Sequence, residues 1–266
     1  MFELIDTHCH LDKFLEDKTL DSILDEAKAM GVTQMIGVAT NAKFWGMYQG
    51  LAKKYKGRIH YSVGLHPVYV EEDWEEQLQQ LMPFFAENVM PVAIGEIGLD
   101  FHHLPENPAE IEDVKRLREE AFRQQLSFAL QLDCPIIVHS RNCFHETVRV
   151  IDESGVDWKR VVFHCFSEGG DEVDILNSRG GRASFTGIVT YKNAENVREA
   201  VRRQGISKIM VETDSPYLAP MPFRGKDNHP GYVRLVAEKC AEVLNIDFEP
   251  FTHAVTENTQ KFFGLK

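Results

Sequence analysis

Short runs rich in β-branched and aromatic residues alternate along this chain with longer stretches in which apolar residues recur every three or four positions, the rhythm of repeated strand–helix units. Eight runs read as strands: Glu3–Thr7, Thr33–Ala39, Ile59–Leu65, Val92–Ile97, Ile136–His139, Val161–Cys165, Gly181–Ser184 and Lys208–Glu212. Each is followed by a segment of helical period, which predicts an α/β fold with parallel strands. Eight βα units close naturally into a TIM (β/α)8 barrel. Residues 248–264 carry apolar positions Phe251, Val255, Phe262 and Phe263 with a glycine at the end, and predict an extra C-terminal helix on the outside. No low-complexity tract or Pro/Gly-rich linker divides the series, the loop around Leu104–Pro108 is too short to be a boundary, and no fixed-period repeat marks a solenoid. A single domain over residues 1–266 is expected.

The length of 266 residues, with 43% hydrophobic positions, supplies enough core for one such barrel. No run of about 18 apolar residues is present, and the start, MFELIDTHCH, carries charge instead of an apolar leader, so the expectation is a soluble, cytoplasmic protein with no membrane partner. Five cysteines (Cys9, Cys134, Cys143, Cys165, Cys240) form an odd set without a CxxC pair, which excludes a disulfide framework and a thiolate zinc knuckle. The net charge of −12 leaves no cationic stripe for long duplex DNA, so any grip on a polyanion has to be local and supported by metal ions.

Active sites of TIM barrels are assembled at the C-terminal ends of the strands, and polar groups collect there in this sequence. The first strand runs into Asp6-Thr7-His8-Cys9-His10, where a period of two puts His8 and His10 on one face and Cys9 on the other. An HxH pair arises by chance in roughly every second chain of this composition. The other strand ends add weight: Glu96 closes strand 4, His139 strand 5, His164 strand 6 and Asp214 strand 8. A lone histidine closing an apolar strand is usually a satisfied core residue, but four with two carboxylates at matching ends form an imidazole and carboxylate set suited to zinc, manganese and similar ions. Six ligands exceed the needs of one catalytic ion, which implies two. A carboxylate can bridge two ions, and Glu96 is the candidate bridge.

These residues sit in motifs that resemble the TatD-type metal-dependent deoxyribonucleases of the amidohydrolase superfamily. The motifs are Asp6-Thr7-His8-Cys9-His10-Leu11-Asp12, Gly64-Leu65-His66-Pro67, Gly95-Glu96-Ile97-Gly98-Leu99-Asp100 and Pro135-Ile136-Ile137-Val138-His139-Ser140-Arg141. They continue through His164-Cys165-Phe166-Ser167, Ser184-Phe185-Thr186-Gly187, Glu212-Thr213-Asp214-Ser215-Pro216-Tyr217-Leu218, Arg224-Gly225-Lys226-Asp227-Asn228 with Pro230, and Asn258 before Phe263, so the match runs from end to end. The resemblance implies His8, His10, Glu96 and Asp214 around one ion and Glu96, His139 and His164 around the other. It implies hydrolysis of nucleic-acid phosphodiesters supported by Mg²⁺, Mn²⁺ or Zn²⁺, in the manner of a 3′→5′ exonuclease. The expected partner is DNA, single-stranded or at 3′ ends, with RNA a second candidate; no oligomeric state is implied. Phe101 stands where the family often has Tyr after Gly-Leu-Asp, and Asn142 where it often has Asp after His-Ser-Arg; neither change removes a ligand.

The chemistry expected is attack by a water made acidic by the ions, with Glu96 and Asp214 as catalytic carboxylates and Asp214 orienting the water or taking its proton. Covalent catalysis lacks a GxSxG serine, and no GxGxxG or Walker loop offers a nucleotide cradle. Candidates for substrate contact are Arg141, whose planar fork suits a phosphate; Arg224 in the Arg224-Gly225-Lys226 loop; and His66, which can bond substrate or support the ligands. His102 and His103 read as loop residues and Asp100 as a supporting carboxylate. The acidic run Glu71–Glu76 reads as the charged start of a helix. A small-molecule amidase, lactonase or deaminase of the same superfamily is the alternative function, and a non-catalytic metal-binding protein a third.

Overall fold

The computed structural model describes residues 3–266. Its strands are β1 (Leu4–Cys9), β2 (Val32–Ala39), β3 (Ile59–Val63), β4 (Ala93–Asp100), β5 (Ile136–Arg141), β6 (Val161–Phe163), β7 (Arg182–Phe185) and β8 (Met210–Val211). Between and after them run α1 (Asp12–Glu16), α2 (Leu20–Ala29), α3 (Ala42–Lys54), α4 (Trp74–Gln79), α5 (Pro108–Leu132), α6 (Phe144–Ser154), α7 (Gly170–Arg179), α8 (Glu195–Gln204), α9 (Val233–Leu244) and α10 (Phe248–Phe263). All eight expected strands are present. β4 and β5 run further than their apolar stretches, to Asp100 and Arg141, because the two strands continue to pair past Glu96 and His139. β8 is only two residues long, so Asp214 lies in the loop beyond it. No helix among the described residues is long and apolar enough to cross a membrane.

The chain divides into two compact units, the first formed by residues up to Gly37, Tyr55–His60 and His164–Lys266, the second by Val38–Lys54 and Tyr61–Phe163. In the first unit β7 pairs with β8 in parallel, Ser184 with Met210 and Phe185 with Val211. β1 pairs in parallel with β2, Leu4 with Val32 through Cys9 with Gly37. The segment after β8 joins the exit of β1: Asp214 N donates to His8 O (2.9 Å) and His10 N to Ser215 O (2.7 Å). These two bonds fix the spacing of His8, His10 and Asp214. The C-terminal helix α10 buries Phe251, Val255, Phe262 and Phe263 as its pattern requires. It ends at Gly264, whose left-handed φ of 67° suits a residue without Cβ. From α10, the Asn258 amide donates to the carbonyls of Ile206 (2.8 Å) and Ile209 (3.0 Å), which holds the entry to β8.

In the second unit the parallel order is β3-β4-β5-β6. Between Ile94, paired with Ile136, and Ile97, paired with Val138, β4 carries one residue more than β5. Such a bulge re-aims the side chain it holds, here Glu96. Gly98 follows with φ 143°, and a Cβ there would run into the backbone of His139, so only glycine lets β4 and β5 approach this closely.

Helix α5 starts with Asn107 capping Ala109 N (3.1 Å) and Pro108 in its first turn. Its inner face is apolar apart from Gln125 and Arg118, two turns apart. Gln125 brackets Leu65, accepting from its N (2.7 Å) and donating to its O (3.1 Å). Arg118 donates to the carbonyls of Asp100 and, at 2.8 Å, His103. The outer helix thereby anchors the chain at the exits of β3 and β4, next to His66 and Asp100.

Candidate metal centre

The first unit brings four of the expected ligands together. His8, His164 and Asp214 offer donor atoms that all lie within 4.8 Å of one another. The His8 and His164 rings stack at 4.0 Å between centroids. His10 stands edge-on to His8 at 5.1 Å, and its Nε2 is 3.3 Å from Asp214 Oδ1, with His8 Nε2 at 3.7 Å from the same oxygen. Cys9, between the two histidines, points the other way and donates to Ile36 O (3.4 Å), as the strand period requires. Burial pushes the Asp214 carboxyl up, but the hydrogen bond to His10 and the charges of His8, His10 and His164 outweigh it and hold the group below the usual carboxylate range. Asp214 is ionised at neutral pH.

Behind these donors lies a carboxylate that pattern reading passes over. Glu212 is fully buried; its Oε1 accepts from Cys165 N (2.5 Å) and lies 3.5 Å from His164 Nδ1, and its Oε2 accepts from Thr7 Oγ1 (3.3 Å). It sets a buried carboxylate beside the His164 ring. Asp6 plays the corresponding part for the backbone, accepting from Thr213 N (2.9 Å), Thr213 Oγ1 (2.6 Å) and His8 N (3.3 Å). Desolvation pushes its carboxyl well above the usual range despite the Thr213 bonds.

The second unit collects His66, Glu96 and His139, again with donor atoms within 4.8 Å of one another. Glu96 is buried, and its Oε1 lies 2.8 Å from His139 Nδ1 and 3.3 Å from His66 Nε2. His66 Nδ1 accepts from Val68 N (3.2 Å), which turns Nε2 towards Glu96. The residue expected to touch substrate therefore also stands as a possible ligand. His139 Nε2 lies 3.1 Å from Asp100 Oδ2, which also takes the His103 ring at 2.8 Å. Burial pushes the Asp100 carboxyl up, but hydrogen bonds from His139 and His103 more than reverse it, and the group is held well below the usual range.

The two arginines stand in the open. Arg141 is exposed at the end of β5, and no ion pair engages it among the described residues. Arg224 is exposed, its guanidinium 4.4 Å from the Tyr191 ring centroid. Tyr217, which pattern reading passed over, is 61% exposed with its ring 6.0 Å from that of His10. Its place three residues after a strand-end aspartate was the available signal.

The TatD related DNase family model matches residues 5–264. The chain belongs to this family. It is 33% identical over 262 residues to the uncharacterized metal-dependent hydrolase YabD of Bacillus subtilis, covering 98% of this chain and 99% of that one. It is 34% identical over 265 residues to the uncharacterized metal-dependent hydrolase YcfH of Escherichia coli K12, covering 98% and 96%. The crystal structure of the TatD homolog YJJV from Escherichia coli K12 superposes with a TM-score of 0.89 at 27% identity, covering 99% of this chain and 98% of that one. The fold is therefore the TIM barrel, with α10 as the extra C-terminal helix, and the TatD-family chain is a metal-dependent hydrolase. In that barrel class the donors gathered here follow the strands' C-terminal ends, where catalytic groups stand.

Proposed function

We propose that this TatD-family hydrolase cleaves DNA phosphodiesters, as a 3′→5′ exonuclease that uses two divalent ions, Mg²⁺, Mn²⁺ or Zn²⁺. The observation that carries the reading is the chemistry of the donors: each unit offers a grouping of imidazole nitrogens with one buried or ionised carboxylate, the combination that borderline divalent ions take. His8, His10, His164 and Asp214 in the first unit, and Glu96 and His139 in the second, would hold the ions. His66 is a further donor beside Glu96.

Divalent ions held by these residues would supply a more acidic water, with a pKa towards about 7, and positive charge for the phosphoryl oxygens. Asp214, kept ionised by its histidine neighbours, takes the proton of the attacking water, and His10 fixes the carboxylate that does so. The water's oxygen bonds to phosphorus as the bond to the leaving 3′-oxygen breaks, releasing a 5′-mononucleotide. Arg141 and Arg224 meet backbone phosphates, and Tyr217 offers the terminal base an exposed ring. Since the chain carries −12 overall, the grip is confined to this mouth, which favours chain ends and single strands over internal duplex positions.

The deciding experiment is degradation of end-labelled single-stranded and duplex DNA and RNA in Mg²⁺, Mn²⁺ and Zn²⁺ in turn, beside amide and lactone substrates. Release of mononucleotides from the 3′ end of single-stranded DNA is expected. Turnover of amides or lactones with intact DNA would replace this reading with that of a small-molecule hydrolase.

A further inference from the structure

At the N-terminal ends of β7 and β8, away from the donors that follow their C-terminal ends, lies a second group of polar side chains with no part in the chemistry above. The ladder pairs Ser184 with Met210, so Arg182, which opens β7, and Lys208, in the turn two residues before β8, stand at the same end of the pair. Arg182 Nε and Nη1 are buried and make no hydrogen bond. The guanidinium lies 5.4 Å from the Phe262 ring, and no carboxylate pairs with it among the described residues. Lys208 Nζ spends one proton on the Asn177 carbonyl (3.1 Å) at the end of α7. The Asn177 amide in turn donates to Arg203 O (3.0 Å), while its Oδ1 makes no bond. The next residue, Gln204, is 4% exposed, and both its amide atoms are buried without a partner.

The neighbouring arginines show what is unusual. Arg203 is bound to Glu199, Asp171 and Asp174, and Arg202 to Glu195 and Glu199. In so acidic a chain carboxylates are plentiful, yet among the described residues neither of these two half-buried cations pairs with one. Burial pulls the Arg182 guanidinium down, and burial with the charge of Arg182 pulls the Lys208 ammonium down. A cation removed from water with donors unmet is costly unless an anion accompanies it.

We propose that Arg182 and Lys208 form a binding site for a phosphate group, either as inorganic phosphate or as the phosphate of a mononucleotide. Arg182 brings a guanidinium that no carboxylate among the described residues neutralises, and Lys208 adds a point charge with protons to spare. The site is independent of the proposed nuclease activity.

Equilibrium dialysis of labelled phosphate against the metal-loaded, full-length protein tests it. Wild type should bind about one equivalent per chain more than Arg182→Met, and that equivalent should survive removal of the metal with EDTA, which releases any phosphate held by the ions. Lys208→Gln, a milder change, should retain the site with weakened affinity, and both variants should turn over substrate as wild type does. Competition by a nucleoside 5′-monophosphate separates the sources: displacement at lower concentration than inorganic phosphate makes the mononucleotide the ligand, and equal or weaker displacement makes it inorganic phosphate. Equal phosphate binding by wild type, Arg182→Met and Lys208→Gln would overturn the proposal.

Discussion

His139 Nε2 lies 3.1 Å from Asp100 Oδ2, so the ring is held from behind and its Nδ1 is turned to Glu96. Carboxylates placed so behind a ligand histidine fix its tautomer and raise its basicity, and their loss costs about 10- to 100-fold in metal affinity. Asp100→Asn should therefore raise the metal concentration needed for half-maximal activity by about that factor, with most activity restored at saturating metal. A metal titration of turnover checks it. An unchanged requirement would reduce Asp100 to a clasp for the His102–His103 loop.

Metal content should approach two ions per chain in wild type and fall towards one in His139→Ala, because that change removes an imidazole from the second ion. Glu96→Ala and Asp214→Ala should abolish hydrolysis while circular dichroism stays that of a folded barrel, since neither side chain packs the apolar core. Elemental analysis that finds one ion in both wild type and His139→Ala would refute the two-ion reading.

Truncation of Tyr217 should act on binding. A base stacked on an aromatic ring is worth about 1–3 kcal/mol, so Tyr217→Ala should raise KM for single-stranded DNA by roughly tenfold with kcat little changed. Tyr217→Phe should keep the wild-type KM. Steady-state kinetics on a short oligonucleotide separate the two variants, and equal KM values for Ala and wild type would remove Tyr217 from the substrate path.

A grip limited to the mouth predicts weak salt dependence. The logarithm of affinity for single strands falls by roughly 0.7 per neutralised phosphate with the logarithm of salt, so a few contacts give a slope of about −1 to −3. Binding of a short oligonucleotide in Ca²⁺ across a salt series measures it, alongside cleavage of covalently closed circular DNA. A slope near about −6, or fast cutting of the circle, would point to an extended cationic track.

On the outside of the second unit, Arg123 of α5 links Glu119 (2.7 Å) to Glu153 of α6 (2.5 Å), and Arg149 reaches Glu119 at 2.8 Å. Burial pushes the Glu119 carboxyl up, but the bonds from Arg123 and Arg149 prevail and hold it below its ordinary value. A carboxyl lowered in the folded state adds stability that is present above the unfolded pKa near about 4.3 and is lost as pH falls through the folded one. Glu119→Gln should thus cost less than about 1 kcal/mol at neutral pH, exposed pairs being screened, and the difference from wild type should close in acid, once the pH has fallen below the lowered folded-state pKa. Urea unfolding at neutral pH and in acid checks the sign.

Pattern reading located the eight strands and six imidazole and carboxylate side chains that follow them, because strand-end chemistry in this fold is local: a side chain that follows an apolar run stands at the rim. Three kinds of feature escaped it. The bulge in β4 depends on pairing with β5, which no period within β4 reveals, so Glu96 was taken as the end of a strand that runs on to Asp100. Glu212 sits two residues before Asp214, just past a strand too short to show alternation, and its contacts with His164 and Cys165 are visible only across the fold. Arg118 and Gln125 look like ordinary polar positions on a long charged helix. The signal was their place on the same stripe as Ala121, Phe122, Leu126 and Ala129.

That stripe gives α5 the character of a gauge block. Arg118 and Gln125 hold the exits of two strands at a separation set by the helix's own rise, so the helix measures out the distance between the His66 and Asp100 segments. One residue inserted between them would turn one anchor about 100° away from its carbonyl while the other stayed in place. Protein engineers who recut the rim loops for new substrates would then need to leave this outer helix in phase, since its register sets the tolerance of the centre it never touches.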